Sequence, residues 1–539
     1  MKKGALSFLM ALTMLSPPGL HGEEAKANAE KSGKTAAEAV VLDDETQLWF
    51  DDSLVDKALT HGVTRQVNGP EKIERVLKPE MPWEALGFIF YSSVVMVDSR
   101  SFLLYYGTYD AEKKKHFCVA TSEDGLKWER PKLGLREFGG NKDNNILAVD
   151  AVEACVIDER RAKPGAGFRL FYTRHWPDPE RAGVYTATSQ DGIHWKEMEE
   201  RMLPFVPDSQ PSAFWDDATR EYLIYLRAWD KKRCVAQAAV TEVEKPWPYT
   251  DMGHPYHVWG RDKIPTLSDE LPIVMRPDAK DPPTVELYTS VCLKYDDQAY
   301  LAFPAAFTLY KGPEFEKRAL PKTSDGPFEV QMAVSRNGLN WERFRQPYLP
   351  AGTYDGVKLE LVSMGVGMVH PMPRHANDVR LLQYFVGWPY THGMPVVWDR
   401  DPAERQKWMK QERGGIYCAT QRLDGFVSMD AGKEEGTLVT KAVKLTDKRL
   451  FVNVKTGPGG GVKVALLDLD GHPWPGFGAD TCELIRGDEL HREVKWKGQS
   501  PDSFPQNEPL CVQFTMRNAK LFSWECAGSA RMRWLSKPR

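Results

Sequence analysis

Four carboxylates of this chain, Glu84, Asp208, Glu286 and Glu360, stand just ahead of, or at the head of, apolar strand-like runs. Two carboxyl groups facing one pocket can hydrolyse a glycosidic bond, one protonating the leaving oxygen while the other activates water or attacks the anomeric carbon. Asp208 and Glu286 are the pair expected to do this, with Glu84 as the third acid and Glu360 as a substrate contact. Cations and rings gather at the ends of other runs, in Arg174-His175-Trp176, Arg227-Ala228-Trp229-Asp230 and Trp388. Rings stack on the C–H faces of sugars and cationic donors bind hydroxyls, so Arg174, His175, Trp176, Arg227, Trp229 and Trp388 are expected to hold the substrate. Asp51, Asp52, Asp110 and Asp230 are outside choices for the acids, and Asp143 and Asn144 could reach the same rim. The twelve His form no HExxH or equivalent pair, so neither metal nor cofactor is expected, a structural calcium ion in a central channel excepted.

The elements that would position these groups follow from a repeat. CVATSEDGLKW (118–128), YTATSQDGIHW (185–195), MAVSRNGLNW (332–341) and CATQRLDGF (418–426) share one phrase, and QAAVTEVEKPW (237–247) is a degraded copy. Each begins as an alternating strand, and the Asp-Gly or Asn-Gly pair supplies positive φ angles for a tight turn. Asp124, Asp191 and Asp424 are therefore read as turn formers. Two further apolar strands precede every copy, for example FIFYSSVVMV (88–97) and FLLYYGTYD (102–110). With the strand that the Trp opens, each unit has four antiparallel strands. Five such units predict an all-β fold, a five-bladed β-propeller over 41–432. The phrase then stops, and the alternating strands of 436–530 predict a small C-terminal β-sandwich. In a blade, the start of the innermost strand and the end of the second lie at the same end of the propeller, which brings the residues above to one funnel.

Composition narrows the function. Seventy-one basic residues against 75 acidic, with no long basic block, exclude a nucleic-acid backbone binder. Lys2 and Lys3, the apolar stretch Ala5–Leu15 and small residues up to Gly22 have the layout of a secretory signal (1–22), followed by a polar spacer (23–40). The expected location is exported, periplasmic or extracellular, with no membrane span. The eight Cys show no CxxC pair or framework spacing and read as buried thiols.

LWFDDSLVD (48–56), LKPEMPWE (77–84), SEDGLKWERPKLGLREFGGNKDNNI (122–146), LDGFVSMDAG (423–432) and WKG (496–498) occur in an order that resembles the five-bladed propeller glycoside hydrolases of families 32 and 43. The likeness is to their exported bacterial relatives with a closing sandwich. It implies an exported, exo-acting hydrolase of plant or algal oligo- or polysaccharides. The invertase set of Asn-Asp-Pro, Arg-Asp-Pro and Glu-Cys is absent from the inner-strand positions: Arg400-Asp401-Pro402 and Glu525-Cys526 lie elsewhere. The archetypal enzymes draw their acids from the first three blades, whereas Asp208 and Glu286 fall in the third and fourth. A non-catalytic carbohydrate-binding propeller and a sialidase-like or lyase activity are the alternatives.

Overall fold

The computed structural model describes residues 38–160, 162–175, 181–247, 256–258, 262–264, 271–297, 299–311, 324–371 and 379–528. The signal-like segment and the first part of the spacer fall outside the described residues. Among those described, no helix is long and apolar enough to cross a membrane.

Five antiparallel sheets form a ring. Blade one is Gly87–Asp98, Ser101–Tyr109 and Lys115–Ser122. Blade two is Ala154–Asp158, Phe168–Arg174, Gly183–Ser189 and Lys196–Glu197. Blade three is Ser212–Asp216, Glu221–Asp230, Lys232–Val240 and Ile273–Met275. Blade four is Val285–Asp296, Ala299–Thr308, Phe328–Ser335 and Glu342–Leu349. Blade five is Leu361–Met364, Arg380–Trp388, Gly415–Arg422 and, as its outer strand, Lys72–Leu77.

The innermost strands meet around the axis through polar contacts between side chains and backbone and between backbones. The Val156 amide donates to Ser93 Oγ at 3.0 Å, the Ala213 amide to Cys155 Sγ at 3.3 Å and Ser212 Oγ to the Cys292 carbonyl at 2.8 Å. Val94 and Val366 close the ring, the Val94 amide donating to the Val366 carbonyl at 2.8 Å.

The repeated phrase is a docking device between blades. In blades one, two and four its serine hydroxyl (Ser122, Ser189, Ser335) accepts the glycine amide three residues on. The Asp or Asn (Asp124, Asp191, Asn337) accepts the two amides that follow the glycine. Only the glycine adopts a left-handed φ in these three turns, not the Asp-Gly pair as expected. A tyrosine of the preceding blade then donates to the carbonyl of that glycine: Tyr384 to Gly125 at 2.6 Å, Tyr105 to Gly192 at 2.8 Å and Tyr225 to Gly338 at 2.9 Å. In blade five the corresponding Asp424 is buried, takes the positive φ itself, and accepts the hydroxyls of Tyr295 and Ser523 at 2.7 Å each.

Among the described residues the segment after the Trp forms an outer strand in blades two and four, and in blade one its Glu129 bridges Thr121. In blade one the outer edge is residues 145–147, joined by the Val119 amide to the Asn145 carbonyl and the Leu147 amide to the Phe117 carbonyl. In blade five the chain leaves at Gly425 for the sandwich, so the N-terminal Lys72–Leu77 closes the propeller. A short helical pair, Met394–Arg400 and Pro402–Trp408, is inserted between the second and third strands of this blade. Asp401 of the Arg-Asp-Pro triplet caps its second helix, accepting the amides of Ala403 and Glu404.

The C-terminal β-sandwich is built on two 18-residue strands, Leu450–Leu467 and Pro509–Cys526. They pair with each other, and Val427–Ala431 and Gly436–Val439 pair with the second. Val40–Leu42, Gln47–Leu48 and Val63–Val67 also join this unit, although the sequence places 41–67 in the propeller. Alternation in these segments reveals a buried face but not which non-local strand covers it. All eight Cys are buried and unpaired.

Candidate functional site

Glu153, Asp208 and Glu286 stand where the inner strands of blades two, three and four begin. Arg227 and Trp229 come two residues apart on the second strand of blade three, so they share a face. Arg233 stands opposite Trp229 on the third strand, and Lys115 opens the third strand of blade one. Asp208 has φ +52, a left-handed conformation costing a non-glycine residue roughly 1 kcal/mol or more, and held only by its surroundings.

Arg227 organises the group. Its side chain is completely buried. Its Nη1 donates to Asp208 Oδ2 at 2.7 Å, its Nε donates to the Tyr288 carbonyl at 2.7 Å, and the guanidinium lies 3.9 Å from the centre of the Tyr288 ring. Arg233 pairs with Glu286 through Nη1, donates to Ser324 Oγ at 3.2 Å and lies over Trp229, Tyr288 and Phe307. Glu153 faces His175, whose Nε2 is 2.9 Å from Oε2, while Lys115 Nζ is 3.7 Å from the other oxygen. Burial lowers the pKa of His392 to about 4, so the ring is neutral at ordinary pH. Its Nδ1 then donates to the Ser324 carbonyl (3.0 Å), which leaves Nε2 to accept the Tyr288 hydroxyl (2.9 Å).

The two carboxyls nearest this centre are pushed apart. Burial raises the Asp208 pKa above its ordinary value; Arg227 opposes that and the Glu153 charge reinforces it. Burial also pushes Glu153 up, but His175, Lys115 and Arg227 together outweigh it and hold the carboxyl at about 2. One carboxyl is thus biased toward keeping its proton and its neighbour toward ionisation, the division of labour that acid/base hydrolysis needs.

The other expected residues are distributed as follows. Glu84 is fully buried away from this centre, accepting both Nε and Nη2 of Arg130 (2.8 and 2.9 Å) and the Tyr106 hydroxyl. Glu360 is a partly exposed partner of Lys358 (2.7 Å). Trp388 is wholly buried and donates to the Phe88 carbonyl at 2.7 Å, packed against Phe90 and Tyr390, so no sugar reaches its face. Arg174 points to the opposite face of its strand from His175 and pairs with Glu197 at 2.7 Å. Trp176 lies outside the described residues. Asp110 accepts the amides of Glu112 and Lys114 and faces His116. Asp230 pairs with Arg276, Asp143 with Lys132, and the Asn144 amide group donates to the Arg136 carbonyl. Asp51 holds Arg336 and Asp52 holds Arg65 and Lys57.

Glu153, Lys115, Arg233, Tyr288 and His392 were missed. Glu153 had a readable signal: it directly precedes the inner strand of blade two, the criterion that singled out Asp208. His392 had none, because it sits in the turn before the inserted helices. Among the described residues no group of three His, Cys, Asp or Glu could hold a metal ion. A cavity of about 470 Å³ opens at the other end of the channel, lined by Met96, Asp158, Asp217, Asp297 and Met368 among others, and none of the groups above lines it.

These features define a five-bladed β-propeller with a carboxylate-bearing funnel and a C-terminal sandwich. No protein-family model and no curated protein sequence matches the chain. Solved structures similar to it include a thermostable family-43 glycoside hydrolase (12% identity, 67% of this chain and 94% of that one, TM-score 0.36). A family-32 β-fructofuranosidase of Bombyx mori is 10% identical over 86% of this chain and 95% of that one, with TM-score 0.38. An exo-β-1,3-galactanase of Phanerochaete chrysosporium is 10% identical over 84% and 99%, with TM-score 0.32. The propeller itself stands on the strand pairing of this chain.

Proposed function

We propose that the protein is a glycoside hydrolase whose reaction is carried by Asp208 and Glu153. The supporting observation is that the two carboxyls stand in one funnel with opposed shifts: burial raises the Asp208 pKa, whereas, against burial, His175, Lys115 and Arg227 lower that of Glu153. In this reading Asp208 protonates the leaving glycosidic oxygen, and Glu153, kept charged by His175 and Lys115, activates water or attacks the anomeric carbon. Arg227 orients Asp208 through a single hydrogen bond. In this reading Glu286, expected as the partner of Asp208, holds the Arg233 guanidinium. Export, exo-action and a plant or algal polysaccharide belong to the same proposal, supported by the signal-like N-terminus and the sequence resemblance.

The test is product detection with the full chain on a panel of oligosaccharides, comparing wild type with Asp208→Asn and Glu153→Gln. Loss of product from both folded variants supports the assignment. Unchanged turnover in either overturns it, and saccharide binding by the wild type without product returns the propeller to a non-catalytic binding module.

A further inference from the structure

The funnel carries more hydrogen-bond donors than its own residues fill. Arg227 Nη2, Arg233 Nε and Trp229 Nε1 are buried atoms with no partner. Lys115 Nζ stands 3.7 Å from Glu153, beyond hydrogen-bond reach. Each of these groups donates and none can accept. All four belong to one cluster: Trp229 stacks beneath Arg233, Arg233 and Arg227 share the Tyr288 ring, and Lys115 and Arg227 both act on Glu153. A buried donor left unmade costs about 1–3 kcal/mol, so a ligand rich in acceptors is favoured over one that must also donate.

Lys115, Arg227 and Arg233 face Glu153, Asp208 and Glu286. Once Asp208 carries the proton that an acid needs, the three cations of the set face two charged carboxylates, and Asp325 on the same side is a third. Asp325, the remaining carboxylate on that side, accepts the amides of Gly326 and Gly393. A neutral sugar offers hydroxyls, each of which brings a proton of its own. A carboxylate brings four acceptor sites, a negative charge and a plane that matches a guanidinium edge.

We infer that the funnel takes a uronate, a sugar whose carboxylate is received by the unfilled donors of Arg227, Arg233 and Trp229, with the Lys115 ammonium beside them. This rests on the hydrolase reading for the chemistry but not for the binding, and the two are separable.

The experiment is calorimetric titration of the full chain with galacturonate, glucuronate, galactose, glucose and galactose 6-sulfate. The expected result is uronate binding at least about ten-fold tighter than that of the matching neutral sugar. Trp229→Phe removes one N–H while keeping a ring under Arg233, and Lys115→Gln removes one charge; each should weaken uronate binding about five-fold or more, and by more than it weakens binding of the matching neutral sugar. Neutral sugars binding as tightly, binding of the sulfate alone, no uronate binding at about 10 mM, or two variants that bind like wild type would each overturn the inference. Uronate binding without hydrolysis of any uronide would remove the hydrolase reading and leave this one standing. Hydrolysis confined to neutral glycosides would do the reverse.

Discussion

Arg227 gives Asp208 one N–H, from Nη1 to Oδ2 at 2.7 Å, although its guanidinium is wholly buried and carries another unfilled donor. A two-pronged pair would hold the carboxylate ionised more firmly. The single bond positions Asp208 and leaves Oδ1 free of Arg227, while burial and Glu153 favour its proton. Removing the ionisable group should therefore act on turnover. Asp208→Asn and Glu153→Gln are each expected to lower kcat by about 10² or more in protein that still folds, measured by steady-state kinetics on a cleavable glycoside.

Glu84 should behave differently, because its carboxylate is sealed in a two-pronged pair with Arg130. Glu84→Ala is expected to destabilise the fold by about 3–5 kcal/mol, since it strands the buried Arg130 charge. Denaturant unfolding checks this. A stable variant with lost turnover would move Glu84 back among the acids.

The pH profile follows from the two shifts. Glu153 must be ionised, so activity is lost as pH falls through about 2. Asp208 must be protonated, so activity is lost as pH rises through its raised pKa. The kcat/KM profile should be a bell, and Glu153→Gln should abolish its acid limb in the residual activity. The same Glu153 shift has a stability consequence. Its stabilisation is complete above the ordinary value of 4.5 and disappears as pH drops from there to about 2, readable as acid unfolding that Glu153→Gln flattens.

Gly192 is needed twice, for its φ of +75 and for the approach of blade one. An added Cβ would lie 2.5 Å from both Leu103 Cδ1 and the Tyr105 hydroxyl. Gly192→Ala should cost about 2–4 kcal/mol, combining the left-handed strain with overpacking. Gly165→Ala, at φ +84 with nothing within 4 Å, is the control and should cost about 1 kcal/mol. Equal melting temperatures for the two would refute the docking role of the turn.

The local pattern of the sequence determined the blades. A phrase that recurs with the same strands before it specifies the same turn hydrogen bonds each time, because Ser122 and Asp124 accept amides only two to three residues away. The strand alternation likewise identified which positions start an inner strand, which is why Asp208 and Glu286 were legible and why Glu153 could have been. What faces what was decided by the tertiary structure. Arg174 and His175 are neighbours in sequence yet turn to opposite faces, and Trp388 and Glu84 have active-site chemistry but are sealed beneath their neighbours. Lys72–Leu77 completes blade five across more than three hundred residues, a pairing that no local period encodes. The opposed proton affinities of Glu153 and Asp208 depend on burial and on charges from three blades. They exist only once those blades are closed around the funnel.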